Sequence, residues 1–182
     1  MFLAFCCCRQ TEIDTAYSIP DSTDIDQIIS VIIAQDSLGR SENDSSKRST
    51  PVLKHLRKLY VAFPLQQGEL PLREYMDSVN AKELLSYRIC SGNNLTQRDS
   101  NFFLFQNRIL KRFVIADTLQ QKILTVNETS APHYDISIPI FSANKSKAYV
   151  IVSLNKTGLD NQSYSLSLKK ANGQWKIEDR SY

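Results

Sequence analysis

Apolar residues recur with a helical period near the N-terminus of the chain and with a period of two near its C-terminus. The residues from Asp21 to Asp24 can cap a helix, and isoleucines follow them at i, i+3, i+4, i+7 and i+8. These are Ile25, Ile28, Ile29, Ile32 and Ile33. The spacing predicts an amphipathic helix that ends at Gly39. Its polar side is acidic, with Asp24, Asp26 and Asp36, whereas a membrane-surface helix is basic there, so we expect core packing.

The middle of the chain has a weaker pattern. Residues 39–51 are polar throughout and predict a mobile loop. The segment from Val52 to Phe63 fits either a helix or a buried strand, and we favour a helix that ends in extended chain. Further helices are predicted from Pro71 to Ser86 and from Thr96 to Phe113. In the second of these, Thr96 and Asp99 are the candidates for the N-terminal cap.

From residue 135 to residue 182 the alternation predicts an antiparallel sheet. Isoleucines alternate with other residues from Ile136 to Ile140, and Pro139 places this strand at an edge or at a bulge. A turn follows at Asn144 to Ser146, and the apolar run from Ala148 to Leu154 is typical of a central strand. The pattern therefore predicts an α+β fold in which N-terminal helices pack against a C-terminal antiparallel β-meander.

The last hairpin has a predicted register. Asn172 and Gly173 form a two-residue type I′ turn, which sets the pairs Ala171 with Gln174, Lys170 with Trp175, Leu168 with Ile177, and Leu166 with Asp179. One face then collects Tyr164, Leu166, Leu168, Trp175 and Ile177. The opposite face is polar and collects Ser163, Ser165, Ser167, Lys169, Lys176, Glu178 and Arg180.

Composition narrows the function classes. The 182 residues carry a net charge of only +3, spread along the chain, so we expect no nucleic-acid partner. Five glycines and two histidines leave little material for a phosphate-binding loop or a histidine-rich metal site, so we expect no cofactor and no metal. With 42% hydrophobic residues the chain can form a core, and residues 21–182 are predicted to be a single domain.

The N-terminus carries a triple cysteine after the apolar run from Met1 to Phe5. Cys6, Cys7 and Cys8 are predicted lipidation sites, with residues 1–20 acting as a lipoprotein-signal remnant or anchor followed by a tether. The run lacks a basic region and is shorter than a signal core, so a different acylated anchor and an unmodified apolar tail both stay open. The expected location is a bacterial cell envelope, attached to the membrane through the lipid, with the cytoplasm as the alternative.

No catalytic constellation can be recognised in the sequence. The residues that could line a pocket between sheet and helices are His133, Asp135, Tyr149 and Trp175. His133 and Asp135 could form an acid–base pair, but without a positioned nucleophile we interpret His133 as a surface histidine, and His55 likewise. We expect Tyr149 and Trp175 to belong to the core, and Cys90 to be a part-buried structural cysteine.

Three segments of the C-terminal half resemble a group of small uncharacterised bacterial lipoproteins. The segments read ISIPIFS from Ile136, KAYVIV from Lys147 and LKKANGQWKI from Leu168. The resemblance extends from about Leu95 to the C-terminus, although the loop at Lys156 to Asp160 lacks the cysteine that members of the group often carry. It implies an envelope location and this fold. A weaker similarity, to NTF2-like domains, depends on the closing GQWKI and on helices preceding the sheet.

The expected function is that of a non-enzymatic, lipid-anchored envelope protein that binds a protein or a small ligand. One alternative is an NTF2-like enzyme or ligand carrier with a pocket between sheet and helices. Another is a cytosolic interaction module. A closed pocket near His133, Asp135 and Tyr149 would favour the carrier, whereas an exposed patch or groove would favour the binding protein.

Overall fold

The computed structural model describes residues 17–18, 20–39, 50–63, 78–90, 93–109, 112–127, 132–156 and 161–182. The helices are α1 (Ser22–Asp36), α2 (Ala81–Ser86), α3 (Gln97–Ile109) and α4 (Asp117–Gln120). The strands are β1 (Val52–Leu53), β2 (His55–Leu56), β3 (Tyr60–Ala62), β4 (Ser78–Asn80), β5 (Phe113–Val114), β6 (Thr125–Val126), β7 (His133–Ile136), β8 (Ile140–Phe141), β9 (Lys147–Asn155), β10 (Gln162–Ala171) and β11 (Gln174–Ser181).

One large sheet dominates the fold. Its strand order is β11-β10-β9-β7-β1-β6, and β8 also pairs with β9. Strands β7 to β11 pair in antiparallel fashion, whereas β1 is parallel to both β7 and β6. Two small sheets join β2 to β5 and β3 to β4. The predicted mixture of helices with a mostly antiparallel sheet is confirmed, but the order differs, because short strands are interspersed with the helices.

Helix α1 forms as predicted and packs on one face of this sheet, where it contacts β11. Asp21 is its N-cap, since the Asp21 carboxylate accepts a hydrogen bond from the backbone N–H of Thr23. The five isoleucines of the stripe are at most 3% exposed. The helix ends earlier than expected, because Ser37 takes the left-handed C-cap conformation two residues before Gly39.

The prediction of a helix from Val52 to Phe63 is wrong. The segment forms β1, β2 and β3, and Val52 pairs with Tyr134 on one side and with Thr125 on the other. Short apolar runs fit both periods, and here partner strands select the extended conformation: β7 and β6 pair with β1, β5 with β2, and β4 with β3.

The two other predicted helices are shorter than expected. Of the segment from Pro71 to Ser86, residues 71–77 lie outside the described ranges, residues 78–80 form β4, and the remainder forms α2. Helix α3 begins at Gln97 with the expected caps, since the Asp99 N–H donates to Thr96 Oγ1 at 3.1 Å and Thr96 Oγ1 donates to the Asp99 carboxylate at 2.6 Å. The end of the predicted segment forms β5 instead.

The last hairpin follows the predicted register only next to its turn. Asn172 and Gly173 have φ angles of 52° and 77°, as a type I′ turn requires. The observed pairs then change between Leu168 and Ser167, where a β-bulge sets Leu166 opposite Arg180 and not opposite Asp179. The bulge therefore turns Arg180 to the face that we expected to be apolar.

Most of the other expected features of the sheet are present. The strand that contains Pro139 is interrupted into β7 and β8, Lys145 makes the predicted turn with φ of 55°, and β9 is central. The predicted mobile loop at 39–51 lies mostly outside the described residues.

Candidate functional site

Polar side chains cross one face of the large sheet over β7, β9 and β10. His133 is opposite Asn155, Asp135 is opposite Ser153, and Ser153 is opposite Ser163. Residues opposite each other in neighbouring strands project from the same face. We call this cluster the polar strip, and its members are Arg57, His133, Asp135, Ser153, Asn155 and Ser163.

An ion pair lies at the centre of the polar strip. Arg57 Nε is 3.2 Å from Asp135 Oδ2, and the side chain of Asp135 is only 12% exposed. Arg57 also donates from Nη2 to Ser153 Oγ at 3.5 Å, and Ser163 Oγ donates to Ser153 Oγ at 2.9 Å. A buried carboxylate costs much free energy unless it is paired. Arg57 therefore fixes the carboxylate in place, and the serines extend the hydrogen-bonded row towards β10.

His133 is not the surface histidine that we expected. It is 4% exposed, because β7 lies inside the sheet between β9 and β1. Its Nε2 lies 3.3 Å from Nδ2 of Asn155, while the carboxylate of Asp135 is directed to Arg57. The two members of the possible acid–base pair are thus held by different partners.

Access to the polar strip improves from β7 towards β10. Asp135 and Ser153 are buried, Arg57 and Asn155 are half-buried, and Ser163 is exposed. The strip presents hydroxyl, amide and guanidinium groups to a ligand, and the fold already holds these groups in place. Such groups suit the binding of a polar molecule, because ordered partners lose little conformational entropy on association.

Tyr149 lies on the same face but farther along β9. Its hydroxyl donates to the carboxylate of Glu83 at 2.5 Å, and its ring lies 5.1 Å from that of Tyr87. Tyr87 in turn hydrogen-bonds to Ser165 through its hydroxyl at 2.6 Å. Burial, and then the hydrogen bond to Glu83, raise the pKa of Tyr149. Tyr149 therefore holds α2 against the sheet, which agrees with the expected core role.

Trp175 lies on the opposite face, beneath α1. Its ring contacts that of Phe141 edge to face at 5.8 Å, and its Nε1 donates to Asp24 at 2.9 Å. The four pocket candidates therefore do not share one cavity. A described cleft of about 280 Å³ lies elsewhere, between Tyr17, Arg98, Phe102 and Lys145.

The remaining sequence candidates are separated from the polar strip. His55 is exposed in β2, as expected. Cys90 is buried, and burial raises its pKa to about 11, which fits a structural cysteine. Cys6, Cys7 and Cys8 lie outside the described residues. Within the described ranges, no His, Cys, Asp and Glu side chains group so as to hold a metal ion, and no helix has the length and hydropathy to cross a bilayer.

Comparisons with family models, with curated proteins and with solved structures found no significant match. The resemblance to small bacterial lipoproteins thus stays a prediction.

Sequence reasoning missed most of the polar strip. The alternating serines of β10 signalled a polar face, but Arg57, Ser153 and Asn155 carried no signal of their own. Arg57 lies 78 residues before Asp135 in the numbering, and a parallel backbone bridge between Arg57 and Ser137, beside the pairing of β1 with β7, brings the two together.

Proposed function

We propose that the protein is a non-enzymatic, lipid-anchored protein of a bacterial cell envelope that binds a protein or a small polar ligand at the polar strip. The observation that carries this proposal is the row of hydrogen-bonded polar groups around Asp135. This row extends from the buried carboxylate to the exposed Ser163. In this proposal residues 21–182 are one α+β domain whose helices support the sheet.

Pairing within the strip favours binding over catalysis. The Asp135 carboxylate is engaged by Arg57, and His133 is engaged by Asn155, whereas a general base must be able to reach a substrate or nucleophile proton. The NTF2-like carrier would need a concave pocket near these residues. The described cleft has other residues on its walls, so we keep the binding protein as the better-supported function.

Binding at the strip can be tested by site-specific photo-cross-linking in intact cells. A benzophenone amino acid at position 163 should give a discrete adduct, of added mass equal to one bound partner. The same group at position 174, which is exposed and lies opposite Ala171, eight residues along β10 from Ser163, is the matched control. The Ser153→Trp variant of the position-163 protein fills the strip and should lose the adduct. An adduct of equal yield at both positions, or one that persists in this variant, would contradict the proposed site.

The lipid anchor is tested separately, by mass spectrometry of the protein from native membranes. We expect a diacylglyceryl group on Cys6, Cys7 or Cys8, and we expect replacement of all three by serine to move the protein to the soluble fraction. An unmodified N-terminus with Met1 retained in the soluble fraction would contradict the anchor and favour the cytoplasmic alternative.

A further inference from the structure

Three lysines lie side by side at the hairpin end of the large sheet. Lys147 of β9 is opposite Lys169 of β10, and Lys169 is opposite Lys176 of β11. All three project from the face opposite α1, and we call them the lysine ladder. Like charges directly opposite each other in neighbouring strands destabilise a sheet. The ladder therefore destabilises this part of the sheet, and a binding partner could offset this repulsion.

Compensation of the ladder within the described residues is weak. Glu178 Oε2 lies 3.7 Å from Lys147 Nζ, and the Glu178 side chain is 42% exposed, so water and salt screen this pair. Lys169 and Lys176 are both exposed. An external anionic surface would relieve the repulsion along the whole row.

The chain enters the fold at the same end of the sheet. The Ser18 hydroxyl accepts a hydrogen bond from Lys145, which lies in the turn just before the ladder strand β9, and the Tyr17 hydroxyl donates to the backbone oxygen of Arg98. Lys145 and Arg98 also flank the cleft of about 280 Å³. Two further cations thus lie where the N-terminal segment meets the domain.

The proposed anchor cannot be far from this end. Nine residue steps separate Cys8 from Tyr17, and an extended chain of that length spans at most about 32 Å. A lipid on the triple cysteine would hold the basic end near the bilayer surface. Electrostatic attraction acts only within about 8 Å at physiological ionic strength, so close contact is needed for the lysines to contribute.

We infer that the hairpin end of the sheet docks on an anionic lipid bilayer, with the lysine ladder facing the headgroup phosphates. This inference rests on the proposed lipid anchor for its place in the cell. The anchor supplies attachment and the ladder sets orientation, with the hairpin end nearest the membrane. The polar strip lies on the same face, six residues farther along β9, and is therefore about 20 Å from the ladder. A diacylglyceryl group carries two acyl chains and can anchor a protein stably by itself, so the ladder is needed for orientation and not for attachment.

The test uses the full chain with Cys6, Cys7 and Cys8 replaced by serine, and cosedimentation with phosphatidylcholine vesicles with or without phosphatidylglycerol. We expect binding to the anionic vesicles that weakens as salt is raised. The variant K169E/K176E should lose at least about 25-fold in partition coefficient, since each lysine near a surface is worth roughly fivefold. The variant K122E/K156E has the same net charge as K169E/K176E but changes exposed lysines at the opposite end of the sheet. Its partition coefficient should fall much less.

The outcomes separate the explanations. Equal losses in the two double variants, equal binding to uncharged vesicles, or no binding at all would overturn the docking surface. Stronger displacement by inorganic phosphate than by chloride at equal ionic strength would indicate a discrete phosphate site and would also overturn it. Circular dichroism checks that each variant is folded, and K169Q/K176Q replaces the charge-reversal variant if that one is unfolded. None of these readouts depends on lipidation, so failure of the anchor and failure of the surface are distinguishable.

Discussion

Asp24 joins α1 to the last hairpin through a single carboxylate oxygen. Oδ1 accepts hydrogen bonds from Trp175 Nε1 at 2.9 Å and from Lys170 Nζ at 2.6 Å. The residue is 8% exposed although it lies in the first turn of the helix, where the helix dipole also favours a negative charge. From the sequence we assigned it to the solvent-facing side of the helix. Its burial makes it a tertiary contact.

Replacing Asp24 with alanine should lower the free energy of unfolding by about 2–3 kcal/mol, because the buried indole N–H and the lysine lose their shared acceptor. Asparagine should cost less, since its amide oxygen can still accept from Trp175. Urea denaturation followed by the fluorescence of the single tryptophan measures both. The exposed Asp179 is the control, and D179A should change stability by less than about 0.5 kcal/mol. Equal costs for D24A and D179A would contradict the role of Asp24.

At the scale of elements, the hairpin combines a turn that is determined locally with a bulge that is not. The bulge rotates Arg180 towards α1, where it pairs with Asp36 at the end of that helix and lies over the ring of Tyr164 at 4.7 Å. Tyr164 also donates its hydroxyl to Asp36. Asp24 and Asp36 therefore attach both ends of α1 to the hairpin.

Two glycines with positive φ should respond differently to alanine. A Cβ at Gly173 would meet nothing within 4 Å, so G173A should cost only the backbone strain of about 1–2 kcal/mol. A Cβ at Gly39 would lie 3.1 Å from both Ile123 Cβ and Leu124 O, so G39A should cost at least about 1 kcal/mol more. Thermal and urea unfolding of the two variants measure the difference. Equal destabilisation would mean that the close packing around Gly39 is not rigid.

At the scale of the whole molecule, a tyrosine hydroxyl holds a helix on each face of the sheet. Tyr149 donates to Glu83 of α2 on one face, and Tyr164 donates to Asp36 of α1 on the other. In both cases burial first, and then the neighbouring carboxylate, raise the pKa of the phenol. Ionisation of either tyrosine would break a contact between layers, which links the stability of the whole fold to alkaline pH.

Stability should therefore fall above pH about 10, where tyrosines of the unfolded chain release protons that the folded chain retains. Below that pH both states are protonated and the contribution is intact. Each tyrosine adds a slope of up to about 1.4 kcal/mol per pH unit. The variant Y149F/Y164F should flatten this slope, leaving a smaller one from Cys90, whose pKa is raised to about 11.

The measurement is urea unfolding across a series of alkaline pH values. Tyr182 is 90% exposed, so Y182F is the matched control and should keep the slope of the unchanged protein. A steep fall in stability that persists in Y149F/Y164F would assign the alkaline sensitivity to other groups.

The sequence by itself determined the features whose information lies within a few residues. The isoleucine stripe after Asp21 specified α1 because residues at i, i+3 and i+4 share a helix face, and Asn172 with Gly173 specified the turn because both residues adopt positive φ readily. The caps of α3 at Thr96 and Asp99 were equally local.

Tertiary structure decided the features that depend on distant partners. The segment from Val52 to Ala62 became extended because distant strands pair with it, namely β7 and β6 with β1, β5 with β2, and β4 with β3. The bulge reversed the side of Arg180, where Asp36 supplies its partner. The polar strip follows from the same cause. Arg57 meets Asp135 because the segment from β1 to Arg57 pairs with the segment from β7 to Ser137. No local pattern encodes that pairing, because hydrogen bonds between strands are made by backbone groups common to all residues except proline.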